Sequence, residues 1–226
     1  AILTSTVLHE IKPGGFSAQA LGAGAKVLRE DGSEAAPGEV GELVVTQPPM
    51  GLTPAIHGDR ARYLETYWST FPDIWRHGDW VRCDADGTWY ILGRSDDTLN
   101  IAGKRIGPPE IEAALTETGK VVDAAAIAAP DDIKGVAVVC VCVAAPGVTP
   151  DDALVEQLRE RVGEVVSKPF RPREIYFVEA LPKTRSMKTM RRIVRAAFLD
   201  EDPGDLSSIS NPETIQPIAA LRKEKP

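Results

Sequence analysis

The sequence predicts an α+β fold: a β-rich stretch to about residue 95, then a unit of roughly a hundred residues that mixes helices and strands. Three observations predict it. Early in the chain, short alternating or apolar runs are separated by turn residues, the pattern of half-buried strands. After Arg94 the periodicity switches to the order helix, strand, strand, helix, strand, helix. The composition, 43% hydrophobic and 26% charged over 226 residues, is that of an ordinary globular chain.

In order, residues 25–28 and 41–46 read as strands on either side of the polar turn Glu30-Asp31-Gly32. The aromatic segment from Tyr63 to Trp80, with Trp68, Trp75 and Trp80 unevenly spaced, reads as core and hairpin packing. Asp84 to Gly87 forms a turn that joins residues 80–82 and 88–92 into a hairpin. Pro108 and Pro109 open a helix that carries Ile111, Ala114 and Leu115 and stops at Gly119, matching the preference for Pro at the start and Gly just past the end. Residues 121–129 and 136–145 are apolar enough for buried strands. Asp151 or Asp152 can cap an amphipathic helix through Val166, with Leu154, Val155, Leu158, Val162 and Val165 at helical spacing. Residues 174–179 form a strand and residues 188–199 a last helix. From Asp202 the Pro, Ser and Asn content predicts a surface-hugging or frayed tail.

With 26 basic against 33 acidic residues the net charge is −7. A chain-wide nucleic-acid or anionic-membrane surface is therefore not expected. The longest apolar run, residues 136–145, has about half the roughly 20 residues a membrane-spanning helix needs. Cys83, Cys140 and Cys142 are odd in number and lack metal-ligand spacing; they read as reduced core thiols of a cytoplasmic protein. No secretory leader is visible. His9, His57 and His77 have no partners at metal-ligand or triad spacing and read as structural or surface residues. Gly22-Ala23-Gly24 lacks the third glycine and the βαβ setting of a dinucleotide loop.

Two segments could carry chemistry. GRSDDTLNIAGKRIGPPEIE, residues 93–112, puts Gly103 and Gly107 around Lys104 and Arg105. Glycine permits close backbone approach to a phosphorylated ligand, and a guanidinium fork grips phosphate oxygens. The alternative is a charged surface hairpin. LPKTRSMKTMRRIVR, residues 181–195, holds Lys183, Arg185, Lys188, Arg191, Arg192 and Arg195 with no acidic residue, a local reversal of sign that attracts an anion. A lysine delivered by a loop before a helix could stabilise charge developing on a phosphoryl group. A solvated basic helix, or one that touches nucleic acid, is the alternative.

Together with GELVVTQPPMGLT at 41–53 and YWSTFPDIWRHGDW at 67–80, these segments resemble, in order, the motifs of the adenylate-forming (AMP-binding) family, most closely its acetyl-CoA synthetase-like acyl-CoA synthetase branch. The resemblance covers nearly the whole chain. It implies that residues 1–95 are the β-rich end of a large N-terminal domain, residues 96–200 a small mobile α+β lid, and residues 201–226 a tail, with Asp96 as the hinge. It further implies that Asp79 binds the ribose hydroxyls of ATP or AMP and that Arg94 contacts the ribose and phosphate side. Arg105 would meet phosphate oxygens, Gly103 would line the CoA channel, and Lys188 would be the catalytic lysine that bridges carboxylate and α-phosphate. Met187 stands where the family motif has Gly, which should strain the loop or shift Lys188.

The implied reaction joins a small, acetate-like acid to CoA at the expense of ATP, through an acyl-adenylate. The Gly/Ser/Thr-rich phosphate loop, the acidic residue that helps hold Mg²⁺ and most of the acyl pocket are not among these residues, so no metal ligand is assigned here. The expectation is a C-terminal portion of a longer ligase, inactive in adenylation alone. The alternatives are a different acid or acceptor, such as acetoacetate or a carrier thiol, or a non-catalytic nucleotide-binding module.

Overall fold

The computed structural model describes residues 1–47, 49–101, 104–131 and 135–222, with Arg105 described by its backbone alone. The chain divides into two compact units, Ala1–Asp96 and Asp97–Pro226.

In the first unit, β1 (Leu3–Thr4) and β2 (Ala18–Gln19) form a small antiparallel ladder. Then come β3 (Ala25–Leu28), β4 (Val40–Val45), helix α1 (Arg60–Trp68), β5 (Trp75–Cys83) and β6 (Trp89–Arg94). β3 to β6 make a four-stranded antiparallel sheet in sequence order. Its apolar residues, among them Val27, Leu43, Val81 and Trp89, pack into one cluster. The 84–87 turn joins β5 to β6 as expected, with Gly87 at φ +84°, a value that a side-chain-free residue adopts readily. The aromatic segment differs from expectation: residues 60–68 are helical, capped by Asp59, whose carboxylate accepts from Arg62 N at 2.9 Å. Tyr63 is the buried residue of α1 and its hydroxyl donates to Thr53 O at 2.8 Å. The cap satisfies one of the helix's otherwise orphaned N–H groups, and the uneven Trp spacing hid the helical period.

The second unit opens with the hairpin β7 (Leu99–Ile101) and β8 (Lys104–Ile106). There follow α2 (Pro108–Thr116), β9 (Val121–Asp131), β10 (Gly135–Ala144), α3 (Asp152–Val165), β11 (Glu174–Phe177), α4 (Arg191–Leu199) and α5 (Ile215–Leu221). β9 and β10 pair antiparallel and β11 adds parallel to β10, in the order β11-β10-β9. Successive side chains of a strand point to opposite faces. Accordingly Val138, Cys140 and Cys142 pack with Leu154, Leu158 and Val162 of α3 and with Ile111 and Leu115 of α2. Val139 and Val141 pack with Val194 and Phe198 of α4 and Ile218 of α5. A sheet covered on both faces explains why β9 and β10 read as nearly continuous apolar runs. Each fully buried Leu or Val on these faces contributes about 1.5–3 kcal/mol.

α3 begins one residue after Asp151, whose side chain accepts from Leu154 N at 2.7 Å. α4 begins at Arg191 rather than 188, because residues 183–189 close a hairpin bridge first. Beyond residue 201, where the sequence reads as a tail, a 3₁₀ turn (Pro212–Thr214) leads into α5. Ile218 there is fully buried against α4, which gives this stretch an apolar anchor.

Candidate functional site

In the first unit the site grows from an irregularity in β5. Glu42 of β4 pairs with Trp80 and Val44 with Arg76, so one residue of β4 faces the three residues 77–79 of β5. Such a bulge re-aims side chains. It turns on Gly78, at φ +86°, where an added Cβ would lie 3.0 Å from Arg94 Nη2. The buried Glu42 holds the bulge: its carboxylate accepts from Gly78 N at 2.9 Å and pairs with Arg76 Nε at 3.1 Å.

Asp79 and Arg94 face each other across β5 and β6, with Arg94 Nη1 3.5 Å from Asp79 Oδ1. The other Asp79 oxygen lies 2.7 Å from His77 Nδ1. The Asp79 residue is only 8% exposed, while the Arg94 side chain is about half exposed. The Arg94 fork also reaches Asp96, Nε to Oδ1 at 3.0 Å and Nη2 to Oδ2 at 3.2 Å. Ser95 N donates to Gly78 O at 3.0 Å, which ties residues 94–96 to the bulge. A cleft of about 360 Å³ opens here, walled by Tyr67, Trp75, His77 and Arg94. Tyr67 and Trp75 stack with centroids 5.1 Å apart. The arrangement offers a carboxylate for hydroxyl donors, a guanidinium for an anion and an aromatic wall. Glu42 and His77 are the members that sequence reasoning missed; a lone Glu inside the apolar run GELVV was the available signal, since a buried carboxylate requires a partner.

The second unit presents the basic segment, and three of its six cations are paired with carboxylates. Lys183 Nζ pairs with Asp123 at 2.6 Å. Arg191 holds Glu112 in a fork at 2.6 and 2.5 Å, and Glu112 Oε1 also accepts from Ala126 N. This carboxylate pushes the Arg191 guanidinium still further toward its charged form. Arg195 pairs with Glu201, and Arg192 donates to the carbonyls of Pro203 and Asp205. Among the described residues, Arg185 and Lys188 are the members of the run whose side chains make neither an ion pair nor a hydrogen bond, and both are exposed. Lys188 sits on a tight hairpin in which Thr184 N donates to Lys188 O at 2.9 Å and Met187 N to Thr184 O at 2.8 Å. Lys188 N donates to Thr184 Oγ1 at 3.1 Å. Met187 takes the strained option: its φ is +63° and its side chain points outward, 67% exposed.

Asp79, Arg94 and Asp96 are thus brought together within the first unit, and the boundary between the units follows Asp96. In the second unit Arg105 pairs through its backbone with Asn100 on the β7–β8 hairpin. Gly103 lies outside the described residues, as does the side chain of Arg105. Among the described residues no cluster of His, Cys, Asp or Glu could hold a metal ion. No helix among them is long and apolar enough to cross a membrane.

Residues 110–188 match the family model of the AMP-binding enzyme C-terminal domain. The chain is 37% identical over 209 residues to the acetyl-coenzyme A synthetase of Pyrobaculum aerophilum, an alignment covering 92% of this chain and 31% of that protein. The chain carries the C-terminal domain of the AMP-binding enzymes. It is also 38% identical over 215 residues to the acetyl-coenzyme A synthetase of Chlorobaculum tepidum, covering 95% of this chain and 32% of that protein. Among solved structures, the acetoacetyl-CoA synthetase of Streptomyces lividans superposes with a TM-score of 0.78 at 29% identity, covering 93% of this chain and 32% of that one. The chain spans about a third of the length of the curated relatives it matches.

Proposed function

We propose that the chain is the C-terminal portion of an AMP-forming short-chain acyl-CoA ligase acting on an acetate-like acid. In the first half-reaction a carboxylate oxygen attacks the α-phosphorus of ATP, a P–O bond forms to give the acyl-adenylate, and pyrophosphate leaves. In the second, the CoA sulfur attacks the acyl carbon and AMP leaves. Anion meets anion in the first step, so a positioned cation is needed where charge accumulates. The observation that carries the reading is Lys188: an exposed ammonium without a carboxylate partner among the described residues, on a hydrogen-bonded hairpin, in a run whose other cations are mostly paired.

In this reading Lys188 is the catalytic residue of adenylation. The buried Asp79 accepts from the ribose hydroxyls, and Arg94 reaches the ribose and phosphate side. Arg105 meets phosphate oxygens and Gly103 lines the route of the CoA pantetheine. Residues 1–95 belong to a larger nucleotide-binding domain and the second unit is a lid that turns about Asp96. Hinges of this kind absorb large changes in backbone dihedrals, and moving the lid withdraws Lys188 before the thiol enters. Mg²⁺ would accompany ATP. The described residues offer no ligand cluster for it, so no step is assigned to it here. The reaction fits the cytoplasm, where the three free thiols stay reduced.

Two measurements test this. Thioester formation from synthetic acetyl-adenylate and CoA by the full-length enzyme supports it, whereas nucleotide binding without turnover supports a non-catalytic module. Robust acid- and ATP-dependent pyrophosphate release by the 226-residue chain alone contradicts the assignment as a partial enzyme. The likeness to a protein named acetoacetyl-CoA synthetase keeps a second acid in view; comparing acetate with acetoacetate in the same assay separates them.

A further inference from the structure

The hairpin that carries Lys188 is held from outside by a segment far along the chain. Asn211 Oδ1 accepts from Lys183 N at 2.8 Å, and Asn211 Nδ2 donates to Leu181 O at 2.9 Å. Ser210 N donates to Lys183 O at 2.8 Å, and its hydroxyl donates to the same carbonyl at 3.0 Å. Thr184 and Ile209 form a further antiparallel bridge. Residues 209–211 therefore behave as a short third strand along one side of the hairpin, with the Asn211 amide bonded to it at two points. This clamp is itself anchored. The 3₁₀ turn that begins at Pro212 and the helix α5 follow directly, and Ile218 is fully buried against α4.

The bonds fall on Leu181, Lys183 and Thr184. Thr184 in turn accepts from Met187 N through its carbonyl and from Lys188 N through its hydroxyl. A path of hydrogen bonds joined by the Lys183–Thr184 peptide bond thus runs from Asn211 to the backbone of Lys188. The Lys188 side chain is long and exposed, so its ammonium is placed only as well as its backbone is placed. Among the described residues, no ion pair of its own fixes it. A polar side chain that satisfies both an N–H and a carbonyl of the adjacent strand has the geometry of a brace, and catalytic groups lose activity quickly when their support loosens.

We propose that Asn211 is a positioning residue for Lys188, and that residues 209–211 clamp the lysine hairpin so that the ammonium is presented in a fixed place. The proposal rests on the reading of Lys188 as the adenylation lysine, and its test separates the two.

In the full-length enzyme, Asn211→Ala should lower acid-dependent ATP–pyrophosphate exchange about tenfold, the usual consequence of losing a net hydrogen bond or two. The KM for ATP and thioester formation from preformed acyl-adenylate should stay within about twofold, as expected when an interaction made only in the transition state is removed. Equal losses in both half-reactions, or unchanged exchange, overturns the proposal. Lys188→Ala is run beside it. If that variant leaves exchange intact, the reading of Lys188 fails; if it abolishes exchange while Asn211→Ala does nothing, the positioning claim fails alone.

Hydrogen exchange on the unmodified 226-residue chain gives a second reading that needs no variant. The amides of Lys183, Met187 and Lys188 should open together with Ser210, at rates within about threefold after correction for sequence, as one cooperative unit. If the Met187 and Lys188 amides are protected a hundredfold beyond Ser210, the hairpin holds its shape without the clamp and the proposal is wrong.

Discussion

Met187 allows the strain in the lysine hairpin to be measured directly. At φ +63° an L-residue carries about 1–2 kcal/mol that glycine does not. Replacing Met by Gly alone would mix this gain with loss of the side chain's partial burial. The informative comparison is Met187→Gly against Met187→Ala, because both delete the side chain. The strain relieved, about 1.5 kcal/mol, is set against the extra unfolded-state freedom of glycine, about 0.7 kcal/mol. The Gly variant should be the more stable by about 0.8 kcal/mol. With a urea slope near 2 kcal/mol/M this is a midpoint difference of about 0.4 M. Ser186 is exposed and not among the residues of positive φ, so there the Ala variant should equal or exceed Gly. If Ala matches or beats Gly at 187 as well, the strained turn is not what holds Lys188. In the full-length enzyme, Met187→Gly should also raise the rate of adenylate formation; an unchanged rate would mean that the methionine is tolerated there.

Gly78→Ala should disturb the first unit's site, since the new Cβ meets Arg94 Nη2 at 3.0 Å on a backbone at φ +86°. AMP affinity of the full-length enzyme, by calorimetric titration, should fall about tenfold, the effect of about 1.4 kcal/mol; no change would remove Arg94 from the nucleotide site. Glu112→Ala strips Arg191 and the Ala126 amide of a half-buried partner and should cost about 2–3 kcal/mol in urea unfolding, where a loss under 0.5 kcal/mol would make the pair ornamental. Burial pushes the Cys142 thiol up to about 12 and the Cys140 thiol well above its ordinary range. Iodoacetamide at pH 8 should therefore label neither in the folded chain and both in urea; folded-state labelling of either contradicts the packed sheet. Lys12 holds the Asp86 carboxylate down to about 2. A depressed acid stabilises above its unfolded pKa near 3.8 and loses that contribution as pH falls through 2. The stability gap between parent and Asp86→Asn should shrink from pH 5 to pH 2, and a constant gap would show that the pair is idle.

What could be read from the sequence followed the strength of the local signals. β9 and β10 were legible because a sheet covered on both faces leaves unbroken apolar runs, and α3 because Asp151 and the 154–158–162 stripe mark its start and inner face. Long ordered motifs single out Asp79, Arg94 and Lys188, and the structure places Asp79 and Arg94 side by side across β5 and β6. α1 was hidden because its aromatics read equally well as hairpin packing. α5 was hidden because Pro212 and Pro217 punctuate a stretch whose anchor is the single buried Ile218. Glu42 and Asn211 could not be read as site residues. Their role comes from which backbone groups lie opposite them, Gly78 in one case and Leu181 and Lys183 in the other, and that depends on pairing between distant segments.

In the proposed reaction the Lys188 ammonium serves adenylation alone. The direct measurement is Lys188→Ala in the full-length enzyme, with ATP–pyrophosphate exchange and thioester formation from preformed acyl-adenylate assayed side by side. Exchange should fall about 10²–10³-fold, the scale of removing one preorganised charge-stabilising donor, with thioester formation nearly unchanged. Parallel losses in both reactions, or exchange at the parent rate, would contradict it.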